Sequence, residues 1–189
     1  MVISNYMKML ISSNAGWNEI EKIHPKISSL FIFLILPMSL VPPAMIAYSG
    51  FSYGGEYFLH ANSGMWVSSS FIFLFAELFT VPLMAWVIHN IAESQGIETE
   101  FHKTFAIAAI SAVPMWLSSI ALFVHNPLFI ISMTILGLLA SISLMYHGIR
   151  GLLHLHEEVE VAAITHTTIS MGVLVWTLLI ALVFLPLLV

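Results

Sequence analysis

Five stretches of about twenty residues run through this chain with almost no charge, at 28–49, 66–92, 105–124, 128–149 and 167–189. Each is long enough to cross roughly 30 Å of hydrocarbon as a helix rising about 1.5 Å per residue. Few folds survive that constraint, because in lipid a chain must satisfy its own backbone N–H and C=O groups, and only helices and closed barrels do so. Composition agrees. Of 189 residues, 59% are hydrophobic and 8% charged, with a mean hydropathy of +0.98, against about 25% charged residues in a soluble domain. The sequence predicts an all-α integral membrane protein: a five-helix bundle forming one membrane domain over 28–189, preceded by a leader at 1–27. The third and fourth spans are separated only by His125, Asn126 and Pro127, which requires an antiparallel hairpin. Pro42-Pro43 and the glycine-rich SGFSYGGEY segment are expected to end the first helix near Ser49.

The basic residues orient the bundle. Lys8, Lys22 and Lys26 precede the first span, Lys103 lies between the second and third, and Arg150 lies between the fourth and fifth. Five crossings bring all of them to one side, and Lys and Arg collect in cytoplasmic loops. The amino terminus is therefore expected in the cytoplasm and the carboxyl terminus outside, with Val189 near the far interface. In the leader, Trp17, Ile20 and Ile23 alternate with Glu19, Glu21 and Lys22. This suits a short amphipathic helix on the cytoplasmic interface, with a disordered leader as the alternative. Trp17 and Trp66 fit interfacial anchoring. No signal-peptide core stands out in the first 26 residues. A net charge of −5 with scattered basic residues leaves no patch for a phosphate backbone, so no nucleic-acid partner is expected. The lack of cysteine excludes disulfides and thiolate chemistry.

Glu77 is the charged residue deepest in a span, eleven residues past Trp66 and so about 16 Å in. An acid at that depth is costly unless it is neutral or partnered, and such residues face the bundle interior. Ser39, Ser111, Ser118, Ser141 and Thr177 lie at similar depth as candidate hydroxyl partners. Pro37, Pro82 and Pro114 free the carbonyls of Phe33, Leu78 and Ile110 near the same level. Two readings follow. Glu77, with Ser111 and Ser141, forms an ion or proton site, or Glu77 is a structural hydrogen-bonding group. Trp116 and Trp176 are placed to pack beside this polar belt.

Histidines gather on the predicted cytoplasmic face. His89 and Glu93 are one helical turn apart, as are His154 and Glu158, while His147 shares a face with His154 if the helix continues, and His156 follows. Imidazole and carboxylate at these spacings suit a divalent transition metal such as zinc. The alternative is a solvated, pH-sensitive loop. Enzyme signatures are missing. HEEVE at 156–160 lacks the second histidine of HExxH, and there is neither GxSxG nor a glycine-rich phosphate loop. No catalytic residue is assigned and no enzymatic activity is expected. Gly137 with Ser141, and Ala108 with Ala112, are small-residue pairs that permit close helix contact.

The five spans, the leader ending AGWNEIEKIHPKISS, the third-span segment AISAVPMWLSSIALFVHNP and the LMYHGIRGLL that follows the hairpin together resemble the Yip domain family, in particular its short bacterial inner-membrane members. The likeness runs from about Asn14 onward. It implies a multi-pass protein of the bacterial plasma membrane. Its implied role is that of a non-catalytic scaffold or adaptor, whose partners are the lipid bilayer and a second copy or other membrane proteins. Eukaryotic members bind prenylated Rab-type GTPases. Here the family's DLxGP motif has no counterpart, and its GYxxxP reads Ala109-Ile110-Ser111-Ala112-Val113-Pro114, keeping the proline only. GTPase binding is therefore not carried over.

Overall fold

A computed structural model describes residues 13–188. Lys8 and Val189, which the sequence reading used, lie outside the described residues. All regular structure among the described residues is helical, and five helices are long and apolar enough to cross a membrane. We label the elements α1 (Ser13–Ile23), α2 (Ile27–Tyr57), α3 (Ser63–Ser94), α4 (Phe101–Phe123), α5 (Pro127–Leu152) and α6 (Glu158–Leu188).

Local chemistry explains the boundaries. Asn62 caps α3 by accepting a hydrogen bond from the Met65 N–H at 3.1 Å. Asn126 caps α5 through the N–H groups of Leu128 and Phe129, with Pro127 in the first turn, where its missing donor costs nothing. α6 starts at Glu158, nine residues before the predicted fifth span, because Glu158 and Glu160 suit the positive end of the helix dipole. α4 likewise starts four residues early, and after Pro114 it tightens to a 3₁₀ turn over Ser119–Phe123.

The first span departs most from expectation. α2 is helical to Tyr57 rather than ending near Ser49, with wide π turns at Phe31–Ile35, just before Pro37, and at Gly50–Gly54. Such turns absorb prolines and bulky neighbours at the expense of regular hydrogen bonding. The bulky neighbour here is Trp66. A Cβ on Gly50 would sit 2.2 Å from Trp66 Cδ2, and one on Gly54 2.4 Å from its Cζ2. The glycines read as a helix terminator are instead the slot for an indole.

Packing centres on α4. In its most apolar stretch 61% of residues are buried, against 17 to 33% in the other four spans. α5 lies along one side of α4, α3 along another, and the end of α4 meets α2. α6 packs chiefly on α3 and less on α5. α1 docks on α5, and this revises the leader: the helix forms, but Trp17 and Ile20 of its apolar face meet protein, while Ile23 stays exposed. Trp17 is 1% exposed and Ile20 4% exposed. A Cβ on Gly148 would lie 2.8 Å from the Trp17 ring, and one on Gly151 3.3 Å from its Cβ. Neither Trp17 nor Trp66, at 8% exposed, anchors in headgroups as expected. Glycines on the facing helix offer each indole a deeper seat than the interface does.

Candidate functional site: a polar chamber at Glu77

Glu77 sits midway along α3, where α4 brings Trp116 against it two residues past Pro114. The Trp116 indole Nε1–H donates to Glu77 Oε1 at 2.5 Å. Of the five hydroxyls at similar depth, three are occupied elsewhere. Ser39, Ser118 and Thr177 each donate to a carbonyl three or four residues back, at Leu36, Met115 and Val173. Buried serines and threonines in helices commonly satisfy themselves this way.

Three other hydroxyls do not. Ser111 Oγ on α4, Ser141 Oγ on α5 and Thr168 Oγ1 on α6 are buried with no hydrogen-bond partner, and so is the second oxygen of Glu77, Oε2. All four residues line one partly open cavity of about 160 Å³ between α3, α4, α5 and α6. Ser111 is 2% exposed, Ser141 8% and Thr168 0%. An unpaired buried polar group costs free energy unless water or a ligand satisfies it, and four such groups line this one cavity. The remaining wall is mostly apolar, with Met84, Met145 and the rings of Trp116 and Trp176, and Thr80 within it donates to the Ala76 carbonyl at 2.8 Å.

A second cavity of about 510 Å³ lies on the other side of Glu77, toward the end of the bundle opposite Lys103 and Arg150, between residues such as Ile46, Phe73, Ile130 and Val183. The two share Glu77, Met115 and Trp176. Phe33, Leu78 and Ile110, whose carbonyls the prolines were expected to offer, line neither, and Phe33 is 79% exposed. Of the sequence candidates, Glu77, Ser111 and Ser141 do converge. Thr168 was missed, and its signal was weak: a Thr-Thr pair at the edge of the predicted fifth span.

The histidines do not converge. His89 Nε2 pairs with Glu93 at 3.3 Å, as the one-turn spacing predicted. His154 pairs with Glu21 on α1 at 2.7 Å rather than with Glu158. The cause is backbone: α5 ends at Leu152, His154 adopts φ 54°, and the Leu155 N–H closes the end onto the Arg150 carbonyl at 3.2 Å, a Schellman-type cap that turns His154 away from the α5 face. His147 donates from Nδ1 to the Ser143 carbonyl at 2.8 Å. His156 and Glu158 are exposed. Among the described residues no three His or Glu side chains gather as a metal site needs, so the helical continuity assumed for a metal cluster fails at His154.

At the opposite end a cluster escaped the sequence reading. His125 stacks on Tyr53 with ring centroids 4.4 Å apart, hydrogen-bonds Tyr57 at 3.1 Å and lies 3.5 Å from Glu56. Tyr53 donates to the Leu122 carbonyl at 2.8 Å. Five crossings put SYGGEY and HNP on the same face, which was the available clue. The cluster ties the end of α2 to the α4–α5 hairpin.

Residues 7–185 match the family model described as the Yip1 domain. No curated protein and no solved structure matches the chain.

Proposed function

The chain belongs to the Yip1 domain family, and from that premise we propose that it is a non-catalytic scaffold of the bacterial plasma membrane, with its amino terminus in the cytoplasm and its carboxyl terminus outside. One observation carries this reading: α1 is clamped by Trp17 onto the end of α5, with Ile20, Glu21 and His24 beside His102 and Lys103. The face that carries Lys22, Lys26, Lys103 and Arg150 is thereby a preassembled platform of α1 and the ends of α4 and α5, and the collection of Lys and Arg on this side, whatever the glutamates beside them, supports a cytoplasmic placement. Lipid-facing ridges such as Leu136 and Leu139 on α5 and Leu178 and Leu182 on α6 supply surface for a second copy or another membrane protein.

The chain contains no cysteine, so single-cysteine variants report topology without background. Gln95→Cys should react with a membrane-impermeant maleimide only in inside-out vesicles, and His60→Cys only in intact spheroplasts; the reverse pattern overturns the orientation. Photo-crosslinking amino acids at Leu136 and Leu178 in living cells should give discrete protein adducts. Adducts with lipid alone would sink the scaffold role.

A second reading, proton or cation handling at Glu77, draws on the two cavities that share this acid. Its test is flux in proteoliposomes. No flux, or a flux that Glu77→Gln leaves unchanged, removes it.

A further inference from the structure

We propose that the chamber beside Glu77 is a binding site for a small protonated amine, a primary ammonium carried on an apolar body about the size of benzene. The proposal uses the same chamber as the second reading above but requires no transport. Equilibrium binding tests one and flux tests the other, so each can fail alone.

The polar atoms define the head of the guest. Glu77 Oε2 and the hydroxyls of Ser111, Ser141 and Thr168 all lack partners and all line one void. Each of these oxygens can accept a hydrogen bond, the three hydroxyls can also donate one, and the Glu77 carboxyl group is the acidic group in the wall. No Lys, Arg or His lines the chamber, so an anion finds nothing to neutralise it. An ammonium brings three N–H donors and a charge opposite to that of a carboxylate. No His or Cys lines the wall, and the thioethers of Met84, Met115 and Met145 suit a soft metal rather than the oxygens that lack partners; calcium takes six to eight oxygens, more than the four unpartnered oxygens here. Trp116 holds the other Glu77 oxygen, Oε1, which fixes the carboxyl group and leaves Oε2 for the guest.

The rest of the wall defines the body. Met84, Met145, Trp176 and their neighbours are apolar, so a bare hydrated ion would face mostly surface that cannot hydrogen-bond. A dry apolar cavity of about 150 Å³ takes one benzene, and this chamber measures about 160 Å³. Indole faces beside an ammonium add cation–π attraction.

The experiment is equilibrium binding of benzylamine to the full chain in lipid nanodiscs by isothermal titration calorimetry, with benzyl alcohol, toluene and sodium chloride as comparison probes. Saturable benzylamine binding, about ten-fold or more tighter than benzyl alcohol, is expected, because the charge partner dominates a desolvated site. Glu77→Gln should weaken benzylamine by about ten-fold or more while leaving toluene unchanged. Gly172→Leu adds a side chain inside the chamber, where a Cβ already meets Met84 Cε at 3.4 Å, and should abolish both. If Glu77→Gln does not fold, Gly172→Leu and Ser111→Ala decide the matter, the second by a several-fold loss for benzylamine alone. The proposal is overturned if wild type binds no benzylamine, binds benzyl alcohol or toluene equally well, or gives heat only with sodium chloride. Unchanged benzylamine binding by folded Glu77→Gln or Gly172→Leu overturns it too.

Discussion

The contact between Trp116 and Glu77 should behave as a unit, and a double-mutant cycle makes that quantitative. Trp116 is 1% exposed and its indole N–H is the hydrogen-bond donor to Glu77; the other carboxyl oxygen has no partner. Trp116→Phe retains an aromatic ring but leaves the acid with neither oxygen satisfied. Orphaning a buried polar group costs about 1–3 kcal/mol, and the lost pyrrole edge adds a cavity term. Glu77→Leu removes the acid and orphans the indole N–H instead. Combining the two removes both polar partners, a change that is nearly neutral when shape is kept. The cavity term appears in both backgrounds and cancels, so the coupling energy should be about 1–2 kcal/mol. Equilibrium unfolding of the purified protein in mixed micelles, followed by circular dichroism at 222 nm to avoid tryptophan fluorescence, measures it. Additivity within about 0.5 kcal/mol would refute the claim that this hydrogen bond organises the chamber.

Three further outcomes test the packing. Gly148→Val forces side-chain atoms into the Trp17 ring, 2.8 Å from the position of a Cβ, so hydrogen exchange in α1 should accelerate while the spans stay protected. Gly50→Ala meets Trp66 at 2.2 Å and should lower stability by about 1–3 kcal/mol, as overpacking does, with Trp66→Leu restoring part of the loss in a double mutant. His154→Gly relieves the positive φ of 54° and should leave stability within about 0.5 kcal/mol despite losing the exposed Glu21 pair, whereas His154→Ala should cost about 1 kcal/mol more. Thermal unfolding of the two variants side by side separates backbone conformation from the ion pair.

What could be read from sequence was what depends on hydrophobic length and on residue type at a cap. Five spans, the 125–127 turn and the interior placement of Glu77 followed from those alone. What escaped depends on which partner a side chain meets. SGFSYGGEY carries every signal of a helix end, yet Gly50 and Gly54 are small because Trp66, a dozen or more residues later, needs their space. Trp17 has the periodicity of an interfacial anchor, and only the glycines of α5 reveal that it is buried. His147, His154 and Glu158 fall on one face if the helix runs through 151, but a left-handed residue at His154 breaks that register, and no local signal stronger than a nearby glycine announced it. Ser111 and Ser141 could be placed at the level of Glu77 because depth in a bilayer is a coordinate that sequence supplies; their lack of partners is not.

The Gly137/Ser141 pair joins packing to chemistry. A Cβ on Gly137 would lie 2.8 Å from Ser118 Cβ and 3.0 Å from the Pro114 carbonyl oxygen, so this glycine lets α5 approach α4 where Pro114 interrupts its hydrogen bonding. One turn further along the same stripe, Ser141 reaches the chamber wall, opposite the acid that Trp116 holds from the α4 side. The stripe therefore does two things at a spacing of four residues: the glycine sets how close the helices come, and the serine supplies an oxygen to the space left between them. A bundle held only by packing gains nothing from leaving Ser111, Ser141 and Thr168 unpaired, since the same helices satisfy Thr80, Thr134 and Thr165 on their own carbonyls. Among the described residues, half of the buried polar atoms without a partner (Glu77 Oε2 and the hydroxyls of Ser111, Ser141 and Thr168) line this one chamber, where a single ligand can satisfy them together.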